Sequence, residues 1–186
     1  MKKQNSITKL VKNNSLQYAG YLAVAKTRAK VLKAISYVIP IRRPMLFVGE
    51  AACNELCDML INEGNTNVFI VTDAVLNKLG IPAKVTDYLD AKNISYHVYD
   101  GITPDPTFNV VEEGLRQSIA ANCDAIIAIG GGSVIDAAKM IAMSQGNKCK
   151  PQQLIGILKA RKPSAPLYCV PTTAGTGSEA TLGAVI

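Results

Sequence analysis

Residues 125–129, Ala-Ile-Ile-Ala-Ile, form an unbroken apolar run that passes directly into Gly130, Gly131, Gly132 and Ser133. A run this short, without polar alternation, reads as a strand covered on both faces. Strands of that kind belong to parallel sheets, whose crossovers are made by helices. The rest of the sequence agrees. Short apolar runs recur at residues 45–48, 68–71, 96–99 and 167–170. Helix-patterned stretches at 52–60, 75–89, 107–121 and 135–143 separate them. Pro82 is expected to break the second helical stretch, and Pro106 stands just ahead of the third as a start signal. These patterns predict an α/β fold, a parallel sheet with helices on both faces.

At 186 residues and 48% hydrophobic, the chain holds about one domain with a true core, which excludes a disordered protein. No apolar run is long enough for a transmembrane segment. The net charge of +6 is unevenly spread: ten of the 20 Lys and Arg precede residue 44, and no Asp or Glu precedes Glu50. The predicted boundary follows, with a basic N-terminal arm over 1–43 and a globular domain over 44–186. The folded part carries no basic stripe with interleaved aromatics, so no nucleic-acid partner is expected.

Within the arm, residues 1–15 are polar and 16–38 read as a helix. Val24, Val31, Ile35 and Val38 lie on one face and Lys26, Lys30 and Lys33 on another, before Pro40 and Pro44. Two readings fit: a membrane-surface or mitochondrial-targeting helix, or an amphipathic helix docked on its own protein or a partner subunit. The lack of Trp and Phe anchors favours the second. Five cysteines at irregular spacing suit reduced thiols and a cytoplasmic protein. A single histidine, His97, in a strand-like stretch, excludes a multi-imidazole metal site within this chain.

Three features carry chemistry. Gly131, Gly132 and Ser133 sit where a strand ends and a helix begins. Glycine lets a ligand approach the backbone, and a helix start presents free N–H groups to phosphate. The same residues also suit a plain tight turn with Ser133 as the helix cap. Neither a P-loop nor a Gly-x-Gly-x-x-Gly fingerprint is present. Asp73 closes the 68–72 strand. It can accept both hydroxyls of an adenosine ribose and repel a 2′-phosphate, or cap the next helix. Residues 171–181 crowd Thr, Ser and Gly after a core strand. That suits the ribose and amide of a nicotinamide half, or a second phosphate, or else a surface loop.

Taken together, several stretches resemble the N-terminal domain of the iron-containing (group III) alcohol dehydrogenases. They are residues 128–139, Ala-Ile-Gly-Gly-Gly-Ser-Val-Ile-Asp-Ala-Ala-Lys, and 171–181, Pro-Thr-Thr-Ala-Gly-Thr-Gly-Ser-Glu-Ala-Thr. Phe47-Val-Gly-Glu50, Ile70-Val-Thr-Asp73 and the stretch 100–107 support them. The resemblance covers about residues 44–186. It implies a Rossmann-like, dehydroquinate synthase-like domain that binds NAD. Gly131, Gly132, Ser133 and Asp136 would fall on the pyrophosphate loop and the helix behind it, and Asp73 on the adenosine ribose, favouring NAD over NADP. Thr172, Thr173, Thr176 and Thr181 would fall on the nicotinamide side. Asp105 belongs to the same set but stands where many members carry Asn, which weighs against a contact there.

The family's metal, Fe²⁺ or Zn²⁺, is held by an Asp and usually three His in a helical C-terminal domain. This sequence shows no such cluster, so it reads as the cofactor half of a longer enzyme, inactive as an alcohol dehydrogenase by itself. The full enzyme would be a homo-oligomer acting on a small alcohol or aldehyde. Glycerol dehydrogenase or dehydroquinate synthase-like enzymes, or a non-catalytic nucleotide-binding module with a basic interaction arm, are the competing readings.

Overall fold

The computed structural model describes residues 18–27, 30, 45–156, 159–181 and 183–186. Its contacts divide the chain into two units, Met1–Met45 and Leu46–Ile186. In the first, residues 18–27 and 30 are helical, with Tyr21 and Val24 exposed. The other parts of the predicted 16–38 helix, and with them Val31, Lys33, Ile35 and Val38, lie outside the described residues.

The second unit is built on four parallel strands: β1 (Asn67–Asp73), β2 (Ser95–Ile102), β3 (Ala125–Gly130) and β4 (Leu167–Pro171). Their spatial order is β2-β1-β3-β4. Among the described residues, five helices connect or precede them: α1 (Ala52–Asn62), α2 (Ala74–Lys78), α3 (Ala83–Ala91), α4 (Phe108–Ala120) and α5 (Gly132–Asn147), with a 3₁₀ turn at Pro151–Leu154. A second 3₁₀ turn spans Ser178–Ala180.

The alternation of side chains along the strands divides the core in two. Phe69, Val71, Ile126 and Ala128 face Val111, Leu115, Ile135 and Ile141 of α4 and α5. Val68, Ile70, Ile127 and Ile129 face Leu56, Leu60, Val85 and Leu89 of α1 and α3. All six residues of β3 are buried, as expected for a central parallel strand. Helices therefore cover both faces, as predicted.

One local expectation holds and three shift. The 75–89 stretch does break, into α2 and α3, where Gly80 takes φ 70° and Pro82 precedes the new helix. Residues 45–48 form no strand, and Met45, Leu46 and Val48 are exposed. The helix predicted for 135–143 starts three residues earlier and runs to Asn147, stopped by Lys148 in the left-handed conformation (φ 53°). Because it starts at Gly132, the N-cap is Gly131 and not Ser133, whose side chain makes no cap bond.

His97 lies in β2, the strand its sequence pattern predicts, with its ring engaged by two neighbours. Its ring stacks on Phe69 at 5.7 Å between centroids, and Nε2 shares a hydrogen bond of 3.2 Å with Gln117 Oε1. The five cysteines are all free. Burial, foremost, pushes the thiols of Cys57, Cys123 and Cys169 up to about 11. At about pH 8 only roughly one in a thousand of such groups is thiolate, the nucleophilic form. Iodoacetamide should therefore leave these three unmodified in the folded chain and label them after unfolding, as peptide mass mapping would read. Labelling of all three at the rate of a free thiol in the folded chain would contradict it.

Candidate functional site

Strand order turns at one place. From β1 the chain moves outward to β2, then returns to the opposite side of β1 to make β3. Open parallel sheets bind ligands in the crevice beyond the carboxyl ends of the strands at such a reversal. The carboxyl ends on either side are Asp73 of β1 and Gly130 of β3. Thr72, fully buried, donates from Oγ1 to Ile129 O at 2.9 Å and ties the two ends together. Thr172 N–H donates to Gly130 O at 3.0 Å and brings the 172–181 loop to the same edge.

Gly130 packs strand against helix: a Cβ there would stand 2.6 Å from Val134 Cβ and Cγ2. Gly131 and Gly132 instead face the loop. A Cβ on Gly131 would lie 3.0 Å from Thr173 Oγ1, and one on Gly132 would lie 3.2 Å from Ser178 Oγ and 3.5 Å from Thr176 Cβ. The first α5 bond is Ile135 N–H to Gly131 O at 3.0 Å. The N–H groups of Gly132, Ser133 and Val134 precede it and have no intrahelical acceptor. A 16-residue helix thus presents its positive end, with donors unused within the helix and no Cβ on Gly131 or Gly132, to the hydroxyls of Thr173 and Ser178. That arrangement suits a phosphate. Ser178 belongs to this set and was not singled out in the sequence, where it is one small residue among many.

Asp73 caps α2: Oδ1 accepts from the N–H groups of Val75 and Leu76, each at 2.9 Å. The cap reading of the sequence is correct. It uses one oxygen, and among the described residues Oδ2 accepts no hydrogen bond, so a ribose contact is compatible with it. Asp105 lies exposed in the loop after β2 with φ 51°. Left-handed backbone suits Asn and Asp, which fits an Asn at this position elsewhere. Thr172, Thr173, Thr176 and Thr181 are all exposed in the loop.

Asp136 is the exception. It is buried on α5, where Oδ1 pairs with Lys139 Nζ at 3.1 Å and Oδ2 accepts from Val185 N–H at 3.0 Å. Its carboxylate is engaged by Lys139 and by the Val185 N–H.

The family model described as iron-containing alcohol dehydrogenase matches residues 44–186, the whole of the second unit. The chain belongs to that family. Among curated relatives, it is 41% identical over 140 residues to lactaldehyde reductase of Escherichia coli K12, covering 74% of this chain and 37% of that protein. It is 35% identical over 143 residues to the NAD-dependent methanol dehydrogenase of Bacillus methanolicus, covering 77% and 38%. The crystal structure of a 1,3-propanediol oxidoreductase superposes with a TM-score of 0.69 at 32% identity, over 76% of this chain and 38% of that one. The chain thus spans less than two-fifths of the length of these family members. No helix among the described residues is long and apolar enough to cross a membrane.

The metal of the iron-containing family does not fit the residues described here. They gather no group of three His, Cys, Asp or Glu side chains able to hold an ion, and His97 is spent on Phe69 and Gln117. A dinucleotide does fit, on the evidence of the cradle in front of Gly131 and Gly132.

Proposed function

We propose that residues 44–186 are the dinucleotide-binding domain of an alcohol dehydrogenase and that the dinucleotide is NAD. The observation that carries this reading is the bare start of α5 at the strand-order reversal, facing the hydroxyls of Thr173, Thr176 and Ser178. The pyrophosphate sits on Gly131, Gly132 and Ser133. The adenosine ribose lies over Asp73, with Asp105 at the neighbouring strand tip. The nicotinamide half follows Thr172, Thr173, Thr176 and Thr181. Once bound, NAD supplies a hydride acceptor. This chain's part is to bind it and fix its orientation.

The whole protein, in this reading, moves hydride between NAD and a small alcohol or aldehyde, as the names of its relatives suggest for those proteins. A divalent metal such as Fe²⁺ or Zn²⁺ belongs to that reaction. The described residues offer no site for it. The free thiols suit a reducing compartment such as the cytoplasm.

Asp73 provides the test. A 2′-phosphate would stand against its carboxylate, and like charges about 4 Å apart repel by about 1 kcal/mol in water and more near a protein surface. NADH is expected to bind this chain at least about 10-fold more tightly than NADPH in calorimetric titration. Asp73→Ser keeps a capping oxygen and should shrink the preference to about 3-fold or less. Asp73→Gly should do the same and also cost a few tenths of a kcal/mol in stability. Equal affinities in the unmodified chain would overturn the assignment.

A further inference from the structure

We propose that Lys139 is a positioning residue: together with Asp136 it clamps the chain at Thr181, Gly183 and Val185 against α5, and so sets the loop that faces the glycines. This rests on the dinucleotide reading above and extends it to a residue outside the candidate cofactor contacts.

Lys139 Nζ donates to Asp136 Oδ1 at 3.1 Å, to Thr181 Oγ1 at 2.8 Å and to Gly183 O at 2.8 Å. An ammonium has three donors, and all three are used. Asp136 adds the bond from Val185 N–H at 3.0 Å. The pair is the one buried ion pair among the described residues. Its side chains are 14% and 12% exposed, whereas the partners in the other two pairs are at least 43% exposed.

The loop it holds has few bonds of its own. Between Thr172, tied to Gly130, and Thr181, the internal bonds are Ala180 N–H to Gly177 O at 3.0 Å and a long contact of 3.5 Å from Ser178 N–H to Thr176 Oγ1. At its far end Thr181 N–H and Oγ1 both reach Ser178 O, at 3.3 and 3.2 Å. One end of the loop is therefore anchored by β4 and the other by α5. Thr173, Thr176 and Ser178 face the glycines between two fixed points.

A buried ion pair contributes little net stability, because desolvation offsets the attraction. What it does supply is geometry: three acceptors from two distant parts of the chain, α5 and residues 181–183, converge on one nitrogen. The clamp lies at the Thr181 end, on the nicotinamide side in the reading above, so its loss should disturb the nicotinamide half of a bound dinucleotide more than the adenosine and pyrophosphate half.

The experiment compares NADH with ADP, which carries only the latter half, by calorimetric titration of the 186-residue chain and its Lys139→Met and Lys139→Gln variants. Lys139→Met should weaken NADH about 10-fold and ADP less than about 3-fold. Lys139→Gln, which retains an N–H donor, should fall between and stands in if the Met variant does not fold. Amide exchange in the unmodified chain gives a reading free of mutation: the Val185 N–H should be protected while those of Thr173 and Thr176 exchange fast. Equal losses for NADH and ADP, unchanged NADH affinity in both variants, or an unprotected Val185 amide would each overturn the clamp. An unmodified chain that binds neither NADH nor ADP would instead overturn the dinucleotide reading, and the clamp's role with it.

Discussion

Gly132→Val is expected to weaken NADH binding by at least about 100-fold, or about 2.8 kcal/mol, while the domain still folds. The backbone at the start of α5 is ordinary: Gly131 has φ −80°, so a side chain brings no strain of its own there. The obstacle is space. A Cβ on Gly132 already stands 3.2 Å from Ser178 Oγ, and the two methyls of valine would fill the gap in front of the helix. Phosphate must come within hydrogen-bond reach of N–H groups that the valine would cover. Gly131→Val should act similarly, because its Cβ would meet Thr173 Oγ1 at 3.0 Å. Both neighbours are side-chain hydroxyls that can rotate aside, so the urea midpoint should move little. Near-normal NADH affinity in both variants would show that the triplet serves only as a turn.

Gly146→Ala is the opposite case, a large loss of stability far from the ligand. Gly146 lies in the last turn of α5, and a Cβ there would collide with the carbonyl oxygen of Pro163, with Ser164 C at 2.8 Å and Ala165 N at 2.9 Å. These are backbone atoms and cannot swing aside. They are also held in place: Ala165 N–H donates to Ala142 O at 3.0 Å, and Asn147 Oδ1 accepts from the N–H groups of Arg161 and Lys162 at 2.8 Å each. The methyl should push the segment before β4 away from α5, at a cost of about 2–3 kcal/mol. Urea unfolding would read this as a lower midpoint at an unchanged slope. A midpoint within error of the unmodified chain would mean that the helix end and the 161–165 segment separate easily.

Sequence alone determined the fold class and the family. Residues 125–129, short and followed at once by glycines, read as a strand buried on both sides, and the helical stretches between such strands leave few alternatives to a parallel sheet, because periodicity is local and each element carries its own. The glycines, Asp73 and the threonine loop were also legible, since residue type and position along a strand or at a helix start already limit what they can do.

Three matters were decided by tertiary structure. Strand order places Asp73 beside Gly130 although 57 residues separate them, and nothing local encodes which strand lies next to which. Ser178 faces Gly132, and Gly146 faces Pro163, because segments distant in the chain approach closely enough that a missing side chain matters. Asp136 turns to Lys139 and Val185: a carboxylate one turn into a helix finds its partners in whatever the fold lays over that face, and here it is the chain after Thr181.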